Sequence, residues 1–156
     1  MRRRPAARLL VLDPAGRVLL FRFVHRAGPL AGMTYWATPG GGVEDGESLA
    51  QAAARELAEE TGLRLPVEAP AVGRRDFVLR LADGEEVWAQ ERYFVVRAGG
   101  EPLSRDGWTA EEAEVMGEHR WWSRAALAGT GDTVYPEDIL ALLDAAGEPA
   151  GGAAGP

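Results

Sequence analysis

The chain has 156 residues, 46% of them apolar and 26% charged, a length and balance that suit one globular domain burying about 68–70% of its unfolded surface. It has no cysteine, which excludes a disulfide framework and a thiolate metal site and agrees with a reducing, cytoplasmic setting. The net charge is −7 and all 17 basic residues are arginine; the sign argues against broad nucleic-acid binding, and any phosphate clamp must be a guanidinium.

Arginines 2–4 imitate the basic start of a secretory leader, but the apolar run 9–12 stops at Asp13, too soon for a leader's apolar stretch. No segment approaches membrane-spanning length. Residues 7–12 and 17–23 read as two strands joined by the turn Asp13-Pro14-Ala15-Gly16. Residues 24–35 are loop-like, and 36–46 carry short extended pieces and a run of glycines. A helix is expected from about 48 to 61. A second strand pair spans 73–82 and 86–97 around Ala82-Asp83-Gly84. Residues 98–117 read as a long loop, 120–123 as a short strand and the residues through Leu127 as a short helix. A last helix starts near Pro136, with Ile139, Leu140, Leu142 and Leu143 as its apolar face. Strands interleaved with helices imply helices packed on a mixed sheet. The expected organisation is a single domain over 1–146 and a disordered tail over 147–156, GEPAGGAAGP.

The chemistry concentrates in G-G-V-E-D-G-E-S-L-A-Q-A-A-A-R-E-L-A-E-E-T-G-L, residues 41–63. Glu56, Glu59 and Glu60 stand at i, i+3 and i+4, which places three carboxylates on one narrow face of the expected helix. Like charges so arranged repel, and a cation between them would turn that cost into binding. Hard divalent ions such as Mg²⁺ prefer carboxylate oxygen together with water and substrate phosphate. A Glu-rich helix face is usually only solvated; here Ser48 and Gln51 form a capping box that fixes the start, and Gly62 ends the helix. Ala50, Ala53, Ala54 and Leu57 give an apolar stripe for packing on a sheet. Arg55 can reach Glu59 across one turn.

These residues resemble the Nudix signature, G-x5-E-x7-R-E-U-x-E-E-x-G-U with U a bulky aliphatic. Gly41, Glu47, Arg55, Glu56, Leu57, Glu59, Glu60, Gly62 and Leu63 fill its fixed positions. The resemblance implies a Nudix-type α/β/α sandwich with a mixed β-sheet and a loop–helix–loop catalytic motif. It also implies Mg²⁺ or Mn²⁺ and hydrolysis of a diphosphate bond in a nucleoside diphosphate linked to another moiety, by attack of water on phosphorus. On that reading Glu56, Glu59 and Glu60 are metal ligands, with Glu56 or Glu60 as general base. Glu47 and Arg55 hold the carboxylates, and Gly41 offers a backbone carbonyl to the metal. A further Glu outside the box is expected among Glu111, Glu112, Glu114 and Glu118, with Glu114 and Glu118 preferred and Glu91 a weaker candidate.

For the substrate, a nucleotide or nucleotide sugar, Trp36 and Trp108 are the expected base-stacking residues. Arg22 is an expected phosphate contact, ahead of Arg26, Arg80 and Arg92; His25 and His119 are read as ordinary surface or loop histidines. Downstream of the box, Phe77-Val78-Leu79-Arg80 lacks the Pro or Tyr that marks some subfamilies, so MutT-type triphosphate cleanup and sugar-nucleotide activities both stay open. The rival reading is a non-catalytic nucleotide-sensing or interaction module on the same fold, against which the complete box argues. Isomerase chemistry on this fold calls for a catalytic Cys, which the chain lacks. A homodimer stays open; no membrane or nucleic-acid partner is expected.

Overall fold

The computed structural model describes residues 1–147. Their elements in chain order are strands β1 (Arg2–Leu12), β2 (Val18–Val24), β3 (Thr34–Ala37) and β4 (Gly40–Gly42), helix α1 (Leu49–Thr61), and the long strands β5 (Glu68–Arg80) and β6 (Glu86–Arg97). There follow α2 (Ala110–Val115), β7 (Met116–Trp122), α3 (Arg124–Gly129), β8 (Val134–Tyr135) and α4 (Ile139–Ala146). The expected tail lies, Gly147 apart, outside the described residues.

One mixed sheet runs β5-β6-β1-β2-β3-β8, with β4 on β1 and β7 on β2. Its centre is the parallel pairing of β1 with β6, in unbroken register from Arg2 opposite Val87 to Leu12 opposite Arg97. This pairing makes β1 five residues longer at its start than the apolar run suggests. β1 and β2 meet at Leu12 and Val18, and β4 lies along the middle of β1, at Ala6–Arg8. The glycine loop is thereby seated on the middle of the sheet.

The continuous apolar runs follow from burial on both faces. Leu9 and Val11 of β1, Leu19 and Phe21 of β2 and Phe94 and Val96 of β6 join Ala52, Ala53 and Leu57 of α1 in one cluster. The alternate residues, Leu10, Leu12, Val18, Leu20, Tyr93 and Val95, join Trp36, Trp122, Leu127, Ile139, Leu142 and Leu143 in the other. A strand side chain points to opposite faces at successive positions, so α1 lies on one face and α3 with α4 on the other.

Three expectations are corrected. Residues 110–115 are helical within the stretch read as a loop: Thr109 caps the Glu112 N–H at 3.0 Å and Glu112 returns the bond to the Thr109 N–H at 3.0 Å. β7 begins at Met116, not at 120, because it pairs along β2. On α1, Ala52 and Ala53 are buried, while Ala50 and Ala54 are exposed, so the packed stripe is rotated toward Glu56 and Glu60.

Candidate active site

The ends of α1 form as the local sequence requires. Ser48 accepts from the Gln51 N–H and Gln51 from the Ser48 N–H; Gly62 sits at φ +76°, a left-handed cap that glycine adopts without a Cβ penalty. The three carboxylates then separate. Glu56 and Glu60 are buried, 8% and 5% exposed, on the flank facing the sheet, whereas the Glu59 side chain is 45% exposed. The one narrow acidic face is therefore two inward carboxylates and one outward.

Gly40–Gly42 cover the inward pair. The Gly40 N–H donates to Glu60 Oε1 at 2.8 Å. A Cβ on Gly41 would stand 2.5 Å from Glu56 Oε1, so only a glycine lets the backbone lie against that carboxylate. Gly40 has φ +139°, and a Cβ there would run into the Ala7 carbonyl and the Arg8 Cα of β1.

Arg55 organises the outer side. It donates to Glu47 through Nε at 2.8 Å and Nη2 at 2.9 Å, to Glu56 at 2.9 Å, to Glu59 at 3.3 Å and to the Gly42 carbonyl at 3.0 Å. A guanidinium's planar fork suits such a set of bonds. The hydrogen bonds from Arg55 and from the Glu44 N–H hold the Glu47 carboxyl down at about 2. Glu56 is raised by burial, with Arg55 opposing. Glu60 is pushed well above the usual carboxylate range, first by burial, then by the Glu56 charge and by Glu112, whose carboxyl lies within hydrogen-bonding reach.

Of the four glutamates expected outside the box, the one that acts on Glu60 is Glu112, not the preferred Glu114 or Glu118. Glu114 is exposed on α2, and Glu118 pairs with Arg22 at 3.6 Å on the surface. The Thr109-x-x-Glu112 capping box is the sequence signal that could have singled Glu112 out. Glu91 is buried beneath the sheet surface, where it accepts from Arg8 Nε at 2.8 Å and from the Tyr93 hydroxyl at 2.7 Å.

The aromatic expectations change as well. Trp36 is 2% exposed. It packs edge-on against Trp122 in the cluster away from α1, under the Arg120 guanidinium, and its Nε1 donates to Asp132 at 3.2 Å. A ring so enclosed has no face for a base. Trp108 donates from Nε1 to the Glu60 carbonyl at 2.8 Å and packs edge-on with Phe21 under Arg105; it anchors the loop before α2 to the end of α1. His119 packs edge-on with Phe21, and His25 shares a hydrogen bond of 3.0 Å with the Tyr35 hydroxyl.

Two arginines were missed. Arg4 lies beside Gly42, its Nη2 being 3.2 Å from where a Cβ would stand. Arg8 donates from Nη1 to the Gly40 carbonyl at 3.2 Å. Both sit on the part of β1 whose position depends on distant pairing. Arg8 also lines a cleft of about 610 Å³ with Phe23, Tyr35, Thr38, Arg75, Phe77 and Glu91. A larger hollow of about 750 Å³ lies at the Asp13–Arg17 turn, away from the carboxylates, with no element of the box in its wall.

The donor chemistry fits a divalent cation: two buried carboxylates one turn apart, both raised first by burial, beneath a loop whose backbone lies against Glu56. Among the described residues no three acidic or histidine side chains already converge as a cation cage; Arg55 Nη1 stands between Glu56 and Glu59 and acts as their counter-charge. No helix among the described residues is long and apolar enough to cross a membrane.

Comparisons with known proteins bear on this arrangement. A family model described as the NUDIX domain matches residues 2–142. A MutT4 mutator protein of Mycobacterium tuberculosis is 41% identical over 85 residues, 54% of this chain and 34% of its own length. An RNA pyrophosphohydrolase of Caulobacter vibrioides is 47% identical over 60 residues, 38% of this chain and 33% of its own. The matched part is thus about a third of either relative. Among solved structures, a MutT protein of Methanosarcina mazei superposes with a TM-score of 0.68 at 23% identity, covering 92% of this chain and 91% of that one. The NUDIX domain of Shewanella oneidensis NrtR, in complex with ADP ribose, superposes at 0.61 and 19% identity, covering 94% and 87%. At such identities the likeness is one of fold.

Proposed function

The chain belongs to the NUDIX family, and from that premise we propose that it is a pyrophosphohydrolase cleaving a diphosphate bond in a nucleoside diphosphate linked to another moiety. The observation that carries the reading is the buried pair Glu56 and Glu60 beneath Gly40–Gly42, with Arg55 holding Glu56 and Glu47 in place. Two acidic groups this close in a low-dielectric setting are costly unless a cation or a proton joins them.

Glu56, Glu59 and Glu60, with Glu112 and the backbone around Gly41, would hold Mg²⁺ or Mn²⁺. Such an ion, when bound, neutralises phosphoryl oxygens and lowers the pKa of water. The chain's own contribution is positional. Arg55 fixes the Glu56 rotamer, the Gly40 N–H fixes Glu60 Oε1, and Trp108 fixes the last turn of α1. Water attacks phosphorus, a raised carboxylate takes its proton, and the bridging P–O bond breaks with its electrons leaving on the second phosphate. The cleft beside Arg8 receives the nucleoside or other organic part. Its lining of Phe23, Tyr35 and Phe77 is apolar with Arg75 as a charged anchor, as small-molecule clefts are, and the Arg8–Glu91 pair in its wall is closed on itself.

The test is a product-chromatography screen across nucleoside triphosphates, nucleotide sugars and dinucleotides with Mg²⁺ and with Mn²⁺. Turnover of at least one class, abolished by excess EDTA and restored by added metal, is expected. Tight nucleotide binding without turnover of any class would favour the sensing reading, and full turnover in EDTA would sink the mechanism.

A further inference from the structure

We propose that Arg8 is a positioning residue that sets the glycine loop and, through it, the Glu60 carboxylate; the assignment rests on reading Glu60 as a site carboxylate. A continuous chain of hydrogen bonds crosses the sheet here. The Tyr93 hydroxyl donates to Glu91 Oε1 at 2.7 Å, and Arg8 Nε donates to Glu91 Oε2 at 2.8 Å. Arg8 Nη1 donates to the Gly40 carbonyl at 3.2 Å, and the Gly40 N–H donates to Glu60 Oε1 at 2.8 Å. One residue of the loop is therefore gripped at both its polar backbone atoms, by β1 on one side and by α1 on the other.

The pair that anchors this chain is costly. The Glu91 side chain is 6% exposed and that of Arg8 20%. A buried ion pair is weak as a source of stability, because desolvation offsets its attraction; what this pair does is hold the Arg8 guanidinium in one orientation, with Nη1 on the loop. The geometry fixed here is that of Gly40, which has no side chain of its own to hold it and whose φ of +139° is open to few other residues. Arg8 meets both demands through the guanidinium fork, with Nε turned to Glu91 and Nη1 to the loop. An ammonium carries its three rotatable donors on one nitrogen, without the planar fork, and cannot serve the two partners in the same way. Arg8 acts on the loop beneath the phosphates' expected place, so its loss lowers turnover for every substrate alike. A side chain that reads the nucleoside would instead reorder the substrates.

The experiment compares the parent with R8K, R8M and E91Q. In metal-free protein, the Gly40 amide is followed by its ¹H–¹⁵N peak and hydrogen exchange, with the Val95 amide in the sheet interior as internal reference. Expected in R8M are a displaced Gly40 peak, loss of Gly40 protection by about tenfold or more and unchanged Val95 protection. In kinetics, kcat falls about tenfold for each nucleotide accepted by the parent, KM for nucleotide moves little, and the ranking is kept. R8K does not restore kcat, and E91Q lies between R8M and the parent. Should R8M fail to fold, E91Q, which keeps the shape of the pair, carries the same amide test. A Gly40 amide unchanged in both R8M and E91Q, or in E91Q where R8M does not fold, overturns the proposal. So does a raised KM with intact kcat or a reordered ranking, which would make Arg8 a substrate contact. Because the amide measurement needs no turnover, a parent without hydrolase activity refutes the functional reading while leaving the test of the relay readable.

Discussion

Arg55 and Glu60 carry opposite kinds of electrostatic tension at the residue scale. Arg55 satisfies four acceptor groups at once, so its guanidinium is worth more as a shape than as a charge. Arg55→Lys keeps the charge and loses the fork; kcat should fall about tenfold or more, or metal affinity weaken, and titration of Mn²⁺ binding with steady-state kinetics will show which. Glu60 has its carboxyl raised by burial, by Glu56 and by Glu112. The folded protein therefore holds that proton more tightly than the unfolded chain does. The stability this gives is fully present below the ordinary carboxylate pKa and is lost as pH rises through the raised value. Glu60→Gln should accordingly melt higher than the parent at pH 8 in EDTA, with the difference closing toward pH 4, while its turnover falls at least about 10²-fold. Equal melting curves at pH 8 together with near-parent turnover would show an unburdened surface carboxylate. Glu47 works in the other sense: its carboxyl is held at about 2, so the stability of its link to Arg55 is present above the ordinary value and is lost as pH falls toward 2.

Among the elements, what is local was readable and what is long-range was not. Helix α1 carries its own start in Ser48 and Gln51 and its own stop in Gly62, and all three behave as their types require. The capping box of α2 was equally local, but a six-residue helix inside a polar stretch gives no periodicity to notice. The extension of β1 back to Arg2 depends on β6, more than eighty residues away. Arg4 and Arg8 therefore could not be placed beside the glycine loop from their own neighbourhood. Nor could sequence spacing tell that Glu56 and Glu60 turn inward and Glu59 outward, since that follows from which alanines the sheet accepts. The loop–helix contact offers a direct check. Gly41→Ala needs no unusual backbone angle, but its methyl would stand 2.5 Å from Glu56 Oε1 and displace that carboxylate. A misplacement of about 1 Å can cost about 10²-fold in rate. The variant should keep its near-ultraviolet circular dichroism and lose activity on that scale; full activity would mean that Glu56 is free to move without consequence.

Over the whole molecule, the two faces of one sheet divide the labour, and this decides where substrate selection is to be sought. The face bearing α1 supplies the carboxylates, with Trp108 tied to the helix end. The opposite cluster, with Trp36 and Trp122 at its heart, is core. The cleft of about 610 Å³ opens along β5 and β6 toward Tyr35, with Phe77 partly exposed beneath the Arg75 guanidinium at 5.1 Å. Tryptophan is the residue most readily credited with base stacking, yet the partly exposed rings on the cleft wall are Phe23, Tyr35, Phe77 and Tyr135, and Phe77 stands on the edge strand β5. Trp36→Ala removes a buried indole and should destabilise by about 3–5 kcal/mol, read as a lower denaturant midpoint, with the ranking of substrates by kcat/KM unchanged. Phe77→Ala removes a half-buried ring and should melt close to the parent. If a base stacks there, the loss is about 1–3 kcal/mol for the substrates that use it, roughly a five- to hundredfold fall in their kcat/KM against others. The pair of variants separates core from specificity wall: a reordered ranking in Trp36→Ala at full stability, with none in Phe77→Ala, would move the nucleoside site off this cleft altogether.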